Sequence, residues 1–159
     1  GAMQAVIERC AALHLDHICR GGDPFELGSS RPLDFGHWSA HKLEALSGFR
    51  VGHGQAVAIG LALDVTYAWL AGLLCEADRD RVLKIIEACG LPTTHPLLTE
   101  VALLDGLAEF QEHLGGRLTI TLLRRIGESL DVHEMDHGLI AEAAALLSLH
   151  SAAPLEVIP

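Results

Sequence analysis

Hydrophobic residues recur along most of this chain at the spacing of an α-helix. Between residues 5 and 19 they fall three or four positions apart, and the glycines and proline of residues 21–24 end that pattern. Asp34 is a candidate N-cap for a second helix over residues 36–46. The same spacing predicts further helices over residues 53–74, 78–89 and 135–149, and one or two short helices within residues 97–110.

One segment departs from helical spacing. Over residues 117–123, β-branched and apolar side chains alternate, and glycines flank the segment on both sides. A return strand over residues 129–132 completes a small hairpin. The pattern as a whole therefore predicts a mostly α fold, a multi-helix domain with one small β-hairpin.

The longest apolar run, over residues 56–74, has about the length of a membrane span. Asp64, Thr66 and Tyr67 interrupt it, and residues 52–55 are a poor membrane flank. We therefore expect a buried core helix and no membrane partner.

The 159 residues suffice for one domain with a real core and are too few for two domains of ordinary size. Half of them are apolar, which indicates that some apolar surface meets a partner or another domain. Residues 1–3, Gly-Ala-Met, are typical of an expression scar, so we expect a single domain over residues 4–159, excised from a longer protein.

The charge balance disfavours a nucleic-acid partner. The formal net charge is -10, with 21 acidic and 11 basic residues, whereas phosphate binding needs clustered Lys and Arg. The four cysteines form no close CxxC pair, and no secretory signal is recognisable. Reduced thiols in a cytoplasmic protein are the expectation.

Three histidines are candidate metal-binding residues. His37 and His41 lie four residues apart on one predicted helix, so they share a face, and Glu44 follows one turn later. His53 lies between two glycines at the start of the next helix, and a short link should bring it near His37 or His41. Imidazole ligands suit zinc or another divalent metal such as cobalt. Spacing alone leaves open the alternative that these histidines only form hydrogen bonds within the core.

The sequence around these histidines resembles the signature of the 3-dehydroquinate synthase family. Residues 33–44 read LDFGHWSAHKLE and residues 52–60 read GHGQAVAIG. The family pattern is roughly N-F-G-H-x-x-G-H-x-x-E followed by H-G-E-x-V-x-x-G. The resemblance covers nearly the whole chain and implies the C-terminal, metal-binding domain of a sugar-phosphate cyclase.

By matching positions, the resemblance implies that His37 and His53 are metal ligands and that His41 contacts the substrate in the active site. The family's third metal ligand is a glutamate upstream of the point where this chain begins, so one ligand is expected to be missing. The family binds NAD through an N-terminal Rossmann-like domain. This chain has no strand followed by GxGxxG, so NAD binding is expected only from that missing domain.

Several positions depart from the family pattern. Asp34 replaces the usual Asn, Ala40 replaces a glycine and Gln55 replaces a glutamate. The family's lysine-bearing segment before the last strand matches residues 110–112, so cationic contacts to the substrate are lost and a sugar phosphate without a carboxylate is expected. Arg31 either contacts phosphate or is an exposed loop arginine. The substrate-binding candidates are Asp34, Arg31, Glu44 and His113.

The resemblance implies a lyase that depends on NAD and a metal, eliminates phosphate and closes a ring by intramolecular aldol addition. We expect this fragment alone to be inactive, and its expected partners are the sugar phosphate, the missing N-terminal domain and a second copy in a homodimer. One alternative is the C-terminal domain of an iron-containing, glycerol-type alcohol dehydrogenase. A second alternative is a non-catalytic helical dimerisation module.

Overall fold

The computed structural model describes residues 1–20, 32–99, 101–113 and 116–152. The chain divides into two compact units, Gly1–Arg31 and Pro32–Pro159. Within its described residues, the first unit is one helix, α1 (Ala2–Arg20). The second unit contains α2 (His37–Leu46), α3 (His53–Leu70), α4 (Glu76–Ala88), α5 (Asp105–His113) and α6 (His137–Ala152), with a hairpin of β1 (Ile120–Arg125) and β2 (Glu128–Val132).

Helix α3 is the centre of the second unit. It packs against α2, α4, α6 and β1, and every residue from 62 to 68 along it is buried. A helix that is apolar around its whole circumference belongs inside a core, so the prediction of a buried core helix is confirmed. No helix in the described part of the chain is long and apolar enough to cross a membrane.

The predicted end of this helix at residue 74 was wrong by four residues. Helix α3 ends at Leu70 because Gly72 adopts a φ of 71°, which reverses the chain direction after the last turn. Leu74 is still buried, so the apolar pattern continues past the helix end and gave no sign of it.

The hairpin is confirmed, although β1 begins at Ile120 rather than at residue 117. Its strands are antiparallel, with Ile120 opposite Val132, and Gly127 makes the turn with a φ of 87°. Ile120, Thr121 and Leu122 are all buried and β1 contacts α3, so the first half of β1 attaches the hairpin to the core.

The prediction that Asp34 caps α2 was wrong. Asp34 belongs to a short 3-10 helix, Pro32–Asp34, and the N-cap of α2 is Gly36, which has a φ of 79° and no side-chain cap. The reason is close contact between helices. An added Cβ at Gly36 would lie 2.7 Å from the backbone nitrogen of Leu61, and one at Gly60 would overlap the carbonyl oxygen of Gly36. Only glycines allow the start of α2 to touch α3 in this way.

Candidate metal centre

The candidate centre lies where α2 leads into α3. Between the helices the chain makes a tight turn, in which Phe49 donates its backbone N–H to the Glu44 carbonyl at 2.8 Å and adopts a φ of 58°. Gln55 accepts the backbone N–H of Gly52 through its side-chain oxygen at 3.3 Å, which caps the start of α3. Gln55 therefore holds the residue before His53 in place.

The three predicted imidazoles converge. The centroid of the His37 ring lies 5.5 Å from the ring centroid of His41 and 5.5 Å from that of His53. The ring centroids of His41 and His53 lie 6.1 Å apart. Three imidazoles on one tetrahedral ion, with Zn–N bonds of about 2 Å, would have centroids about 5 Å apart. The donor set is therefore of a size that fits a divalent cation.

Hydrogen bonds orient two of these rings. His37 Nδ1 lies 3.2 Å from the carbonyl oxygen of Phe35. Because a carbonyl can only accept, Nδ1 carries the proton in this contact and Nε2 keeps its lone pair. His53 Nδ1 lies 3.2 Å from Glu44 Oε2, which favours the same tautomer when the carboxylate is ionised. Such partners on the second ring nitrogen are typical of metal-binding histidines.

A more compact set of donor atoms lies beside this triangle of rings. One possible ligand atom from each of His41, Glu44 and His53 lies within 4.8 Å of the other two. Within the described residues, these three form the one group of His, Cys, Asp or Glu side chains that could hold a metal ion at this spacing. His37 does not belong to it. The structure thus brings His37, His41, Glu44 and His53 together, as their spacing predicts, and gives Glu44 a contact to a histidine.

A buried acid connects this centre to the core. Asp64 of α3 accepts the backbone N–H of Gly36 at 3.0 Å and the indole N–H of Trp38 at 2.8 Å. Burial raises the pKa of Asp64 to about 7, and these two hydrogen bonds offset part of the rise. Gly36 and Trp38 are the residues on either side of His37 in the sequence. The two hydrogen bonds to Asp64 therefore attach both neighbours of His37 to α3. In the sequence, Asp64 is a single acid inside an apolar run, a signal that argues against a membrane span but does not point to this role.

The remaining candidates are less well placed. Asp34 is half-buried three residues before His37. Arg31 lies outside the described residues, and so does the side chain of His113, although its backbone ends α5. Helix α5 is tied to α2 by an ion pair of 2.5 Å between Lys42 and Glu109.

Fold and site together define the second unit as a helical domain with a candidate divalent-metal centre at the start of its central helix. Residues 1–110 match the family described as 3-dehydroquinate synthase C-terminal. The chain belongs to this family, and both the resemblance noted in its histidine motifs and the mostly α fold are confirmed.

Individual relatives agree with the family. The chain is 34% identical over 131 residues to a 3-dehydroquinate synthase of Pseudomonas fluorescens (strain Pf0-1), covering 81% of this chain and 35% of that protein. It is 31% identical over 150 residues to a 3-dehydroquinate synthase of Acidithiobacillus ferrooxidans (strain ATCC 53993 / BNL-5-31), covering 94% of this chain and 41% of that protein. The chain thus spans well under half the length of these relatives.

A solved structure has the same fold. ValA, the 2-epi-5-epi-valiolone synthase of Streptomyces hygroscopicus subsp. jinggangensis 5008, was solved with NAD+ and Zn2+ bound. It matches with a TM-score of 0.83 and 30% identity, over 94% of this chain and 41% of that chain.

Proposed function

We propose that this chain is the metal- and substrate-binding C-terminal part of a sugar-phosphate cyclase that uses NAD and a divalent metal, zinc or a similar ion such as cobalt. The observation that carries the proposal is the pair of oriented imidazoles. His37 and His53 each have Nδ1 engaged, by Phe35 and by Glu44, so each can offer Nε2 to a metal. The Zn2+ and NAD+ named for ValA support the same choice of cofactors.

In this proposal His37 and His53 hold the metal, which when bound would polarise a substrate hydroxyl or carbonyl as a Lewis acid. His41 is the catalytic candidate. Its ring lies 5.5 Å from His37 and 6.1 Å from His53 between centroids, close enough to contact a substrate beside the metal. An imidazole can accept or donate a proton near neutral pH, which suits proton transfer during elimination and ring closure.

In this proposal, the cofactor-binding residues and the remaining metal ligand belong to a preceding domain. NAD binding and a third, glutamate ligand belong there by family resemblance, so we expect the present chain to need that domain for turnover. Substrate contacts of Asp34, Arg31, Glu44 and His113 belong to the proposal, as do a homodimer and a cytoplasmic location; all of them rest on sequence reasoning.

The proposed substrate is a sugar phosphate without a carboxylate. The family pattern has lysines at the segment that here contains Gln111 and Glu112. Gln111 of α5 donates its side-chain amide N–H to the backbone carbonyl of Gly116 at 2.7 Å, so this side chain forms a local hydrogen bond with the segment that follows its helix. A site without these cations would pair a substrate carboxylate poorly.

Neither alternative is favoured by the comparisons, which name 3-dehydroquinate synthases and ValA rather than an alcohol dehydrogenase. The decisive experiment uses the longer protein with its preceding domain, zinc, NAD and a seven-carbon ketose phosphate. A cyclase releases inorganic phosphate without net accumulation of NADH, whereas a dehydrogenase accumulates NADH and releases no phosphate. Release of no phosphate from any sugar phosphate would contradict the proposal.

A further inference from the structure

We propose that Asp64 is a positioning residue for the proposed metal ligand His37, and that it acts through the peptide unit between Phe35 and Gly36. The inference rests on the proposed function, because it takes His37 as a ligand of the metal. Asp64 lies outside both histidine motifs, so the family resemblance gives it no role.

Two hydrogen bonds meet at this one peptide unit. Its N–H, which belongs to Gly36, donates to Asp64 Oδ2 at 3.0 Å. Its carbonyl oxygen, which belongs to Phe35, lies 3.2 Å from His37 Nδ1. In a planar trans peptide the N–H and the C=O point in opposite directions. The orientation that brings the N–H to Asp64 therefore also sets the direction in which the carbonyl meets His37.

The fold keeps this peptide unit from turning. Trp38 donates its indole N–H to the other carboxylate oxygen, Asp64 Oδ1, at 2.8 Å, so both oxygens are engaged and the plane of the carboxylate is fixed. Gly36 is buried, and a Cβ added to it would lie 2.7 Å from the backbone nitrogen of Leu61. No side chain caps α2 at Gly36, so the start of this helix is held by α3.

This series of hydrogen bonds favours metal binding at Nε2 of His37. A carboxylate that accepts the N–H of an amide draws negative charge onto the carbonyl oxygen of that amide, because hydrogen bonds in series polarise one another. The Phe35 oxygen then accepts more strongly from Nδ1–H, which keeps the proton on Nδ1 and makes Nε2 a better donor to a metal. In many metal sites a carboxylate bonds the histidine directly, whereas Asp64 does so across one peptide unit.

The test compares the 159-residue chain with its Asp64→Asn variant by nitrogen NMR of the imidazoles and by calorimetric zinc titration. NMR shows which ring nitrogen carries the proton at about pH 8, where imidazoles are ordinarily neutral. Asn has the shape of Asp but no charge and one acceptor oxygen in place of two, so it polarises the peptide less in either orientation of its amide. We expect the parent to hold His37 in the Nδ1–H form. Asp64→Asn should populate the Nε2–H form and bind zinc about tenfold more weakly.

Three controls separate this route from a general loss of structure. His53 is the internal control, because its Nδ1 contacts Glu44, so its tautomer should not change in Asp64→Asn. Trp38→Phe removes only the indole N–H, so His37 should remain in the Nδ1–H form. Leu147→Ala empties a buried position of α6, so it should lower stability but change zinc affinity by less than about twofold.

Four results would overturn the inference. A parent chain with His37 in the Nε2–H form would show that the Phe35 carbonyl does not hold the ring, and this result needs no variant. An unchanged tautomer and zinc affinity in Asp64→Asn would limit Asp64 to a role in the core. An equal tautomer shift in Trp38→Phe would contradict the route through the peptide. Equal losses of zinc affinity in Asp64→Asn and Leu147→Ala would trace the effect to stability.

Failure of this inference and failure of the proposed function are distinguishable. The tautomer of His37 is measured without metal, so it decides the role of Asp64 even if the 159-residue chain binds zinc too weakly to titrate. Phosphate release by the longer protein tests the cyclase independently of that tautomer.

Discussion

Trp38 donates its indole N–H to the carboxylate of Asp64 at 2.8 Å, and both side chains are almost wholly buried. The same carboxylate accepts the backbone N–H of Gly36, so one acid of α3 holds both neighbours of His37. The core of the domain and the geometry of the candidate metal centre therefore depend on one another.

The first prediction concerns pH. Asp64 has an ordinary pKa of 3.8 when unfolded and a pKa of about 7 in the folded chain, so the folded state retains a proton that the unfolded state releases. Its contribution to stability is complete below pH 3.8 and is lost as pH rises through about 7, a loss on the order of 4 kcal/mol. Urea unfolding between pH 4 and 8 should show the decline. Asp64→Asn has no such proton, and parallel curves for parent and variant would contradict the prediction.

The second prediction concerns the contact between Gly36 and Gly60. Gly60→Ala places a Cβ on the carbonyl oxygen of Gly36, and backbone cannot move aside cheaply, so the free energy of unfolding should fall by about 3 kcal/mol or more. Gly54→Ala is the matched control in the same helix. Nothing lies within 4 Å of its added Cβ, so it should be neutral or stabilise by up to about 1 kcal/mol. Equal stabilities for the two variants would mean that the helices are not in close contact here.

The third prediction is that His53→Ala has the largest effect on zinc binding of any single histidine variant. His53 belongs to the proposed ligand pair with His37 and also to the compact group with His41 and Glu44. Its loss therefore removes a donor atom from both groups. Titration calorimetry should show binding reduced by at least about tenfold. His150→Ala is the control, because His150 of α6 pairs with Glu87 of α4 rather than with this cluster. Identical isotherms for parent and His53→Ala would remove His53 from the site.

The fourth prediction is that the chain by itself turns over no sugar phosphate. The hydride acceptor and its binding domain are expected to come from a preceding part of the protein, as the partial coverage of the relatives suggests. Phosphate release and NADH absorbance should both remain at background. Measurable cyclisation by the purified chain would show that it carries a complete active site.

The fifth prediction is that the longer protein prefers a seven-carbon ketose phosphate over a heptulosonate phosphate. A charge-assisted contact is worth roughly 1.5–3 kcal/mol, so one lost lysine should cost the carboxylated substrate about tenfold or more. The measurement is kcat/KM for both phosphates under the same conditions. A clear preference for the carboxylated one would refute the argument from Gln111 and Glu112.

Much of the fold could be predicted because its causes are local. Helical spacing predicted α3 and α4 to within a few residues, and alternation predicted the hairpin, since burial of one face leaves a period in the sequence. The histidine pair on α2 was predicted for the same reason, because residues four apart in a helix share a face. Asp34 was misjudged as a cap, since a glycine that contacts another helix leaves no local signal.

What the sequence alone determined is the set of helices, the hairpin, the family and the three histidines. Tertiary structure decided which groups meet across elements: Gly36 against Gly60, Asp64 with Trp38, and Glu44 with His53. Residues 24 or more positions apart meet in the first two contacts only after α2 and α3 have packed, and no periodicity records the angle and depth of that packing. The Glu44 contact depends on the turn between the helices, whose Phe49 conformation is rare for any residue other than glycine and could not be anticipated.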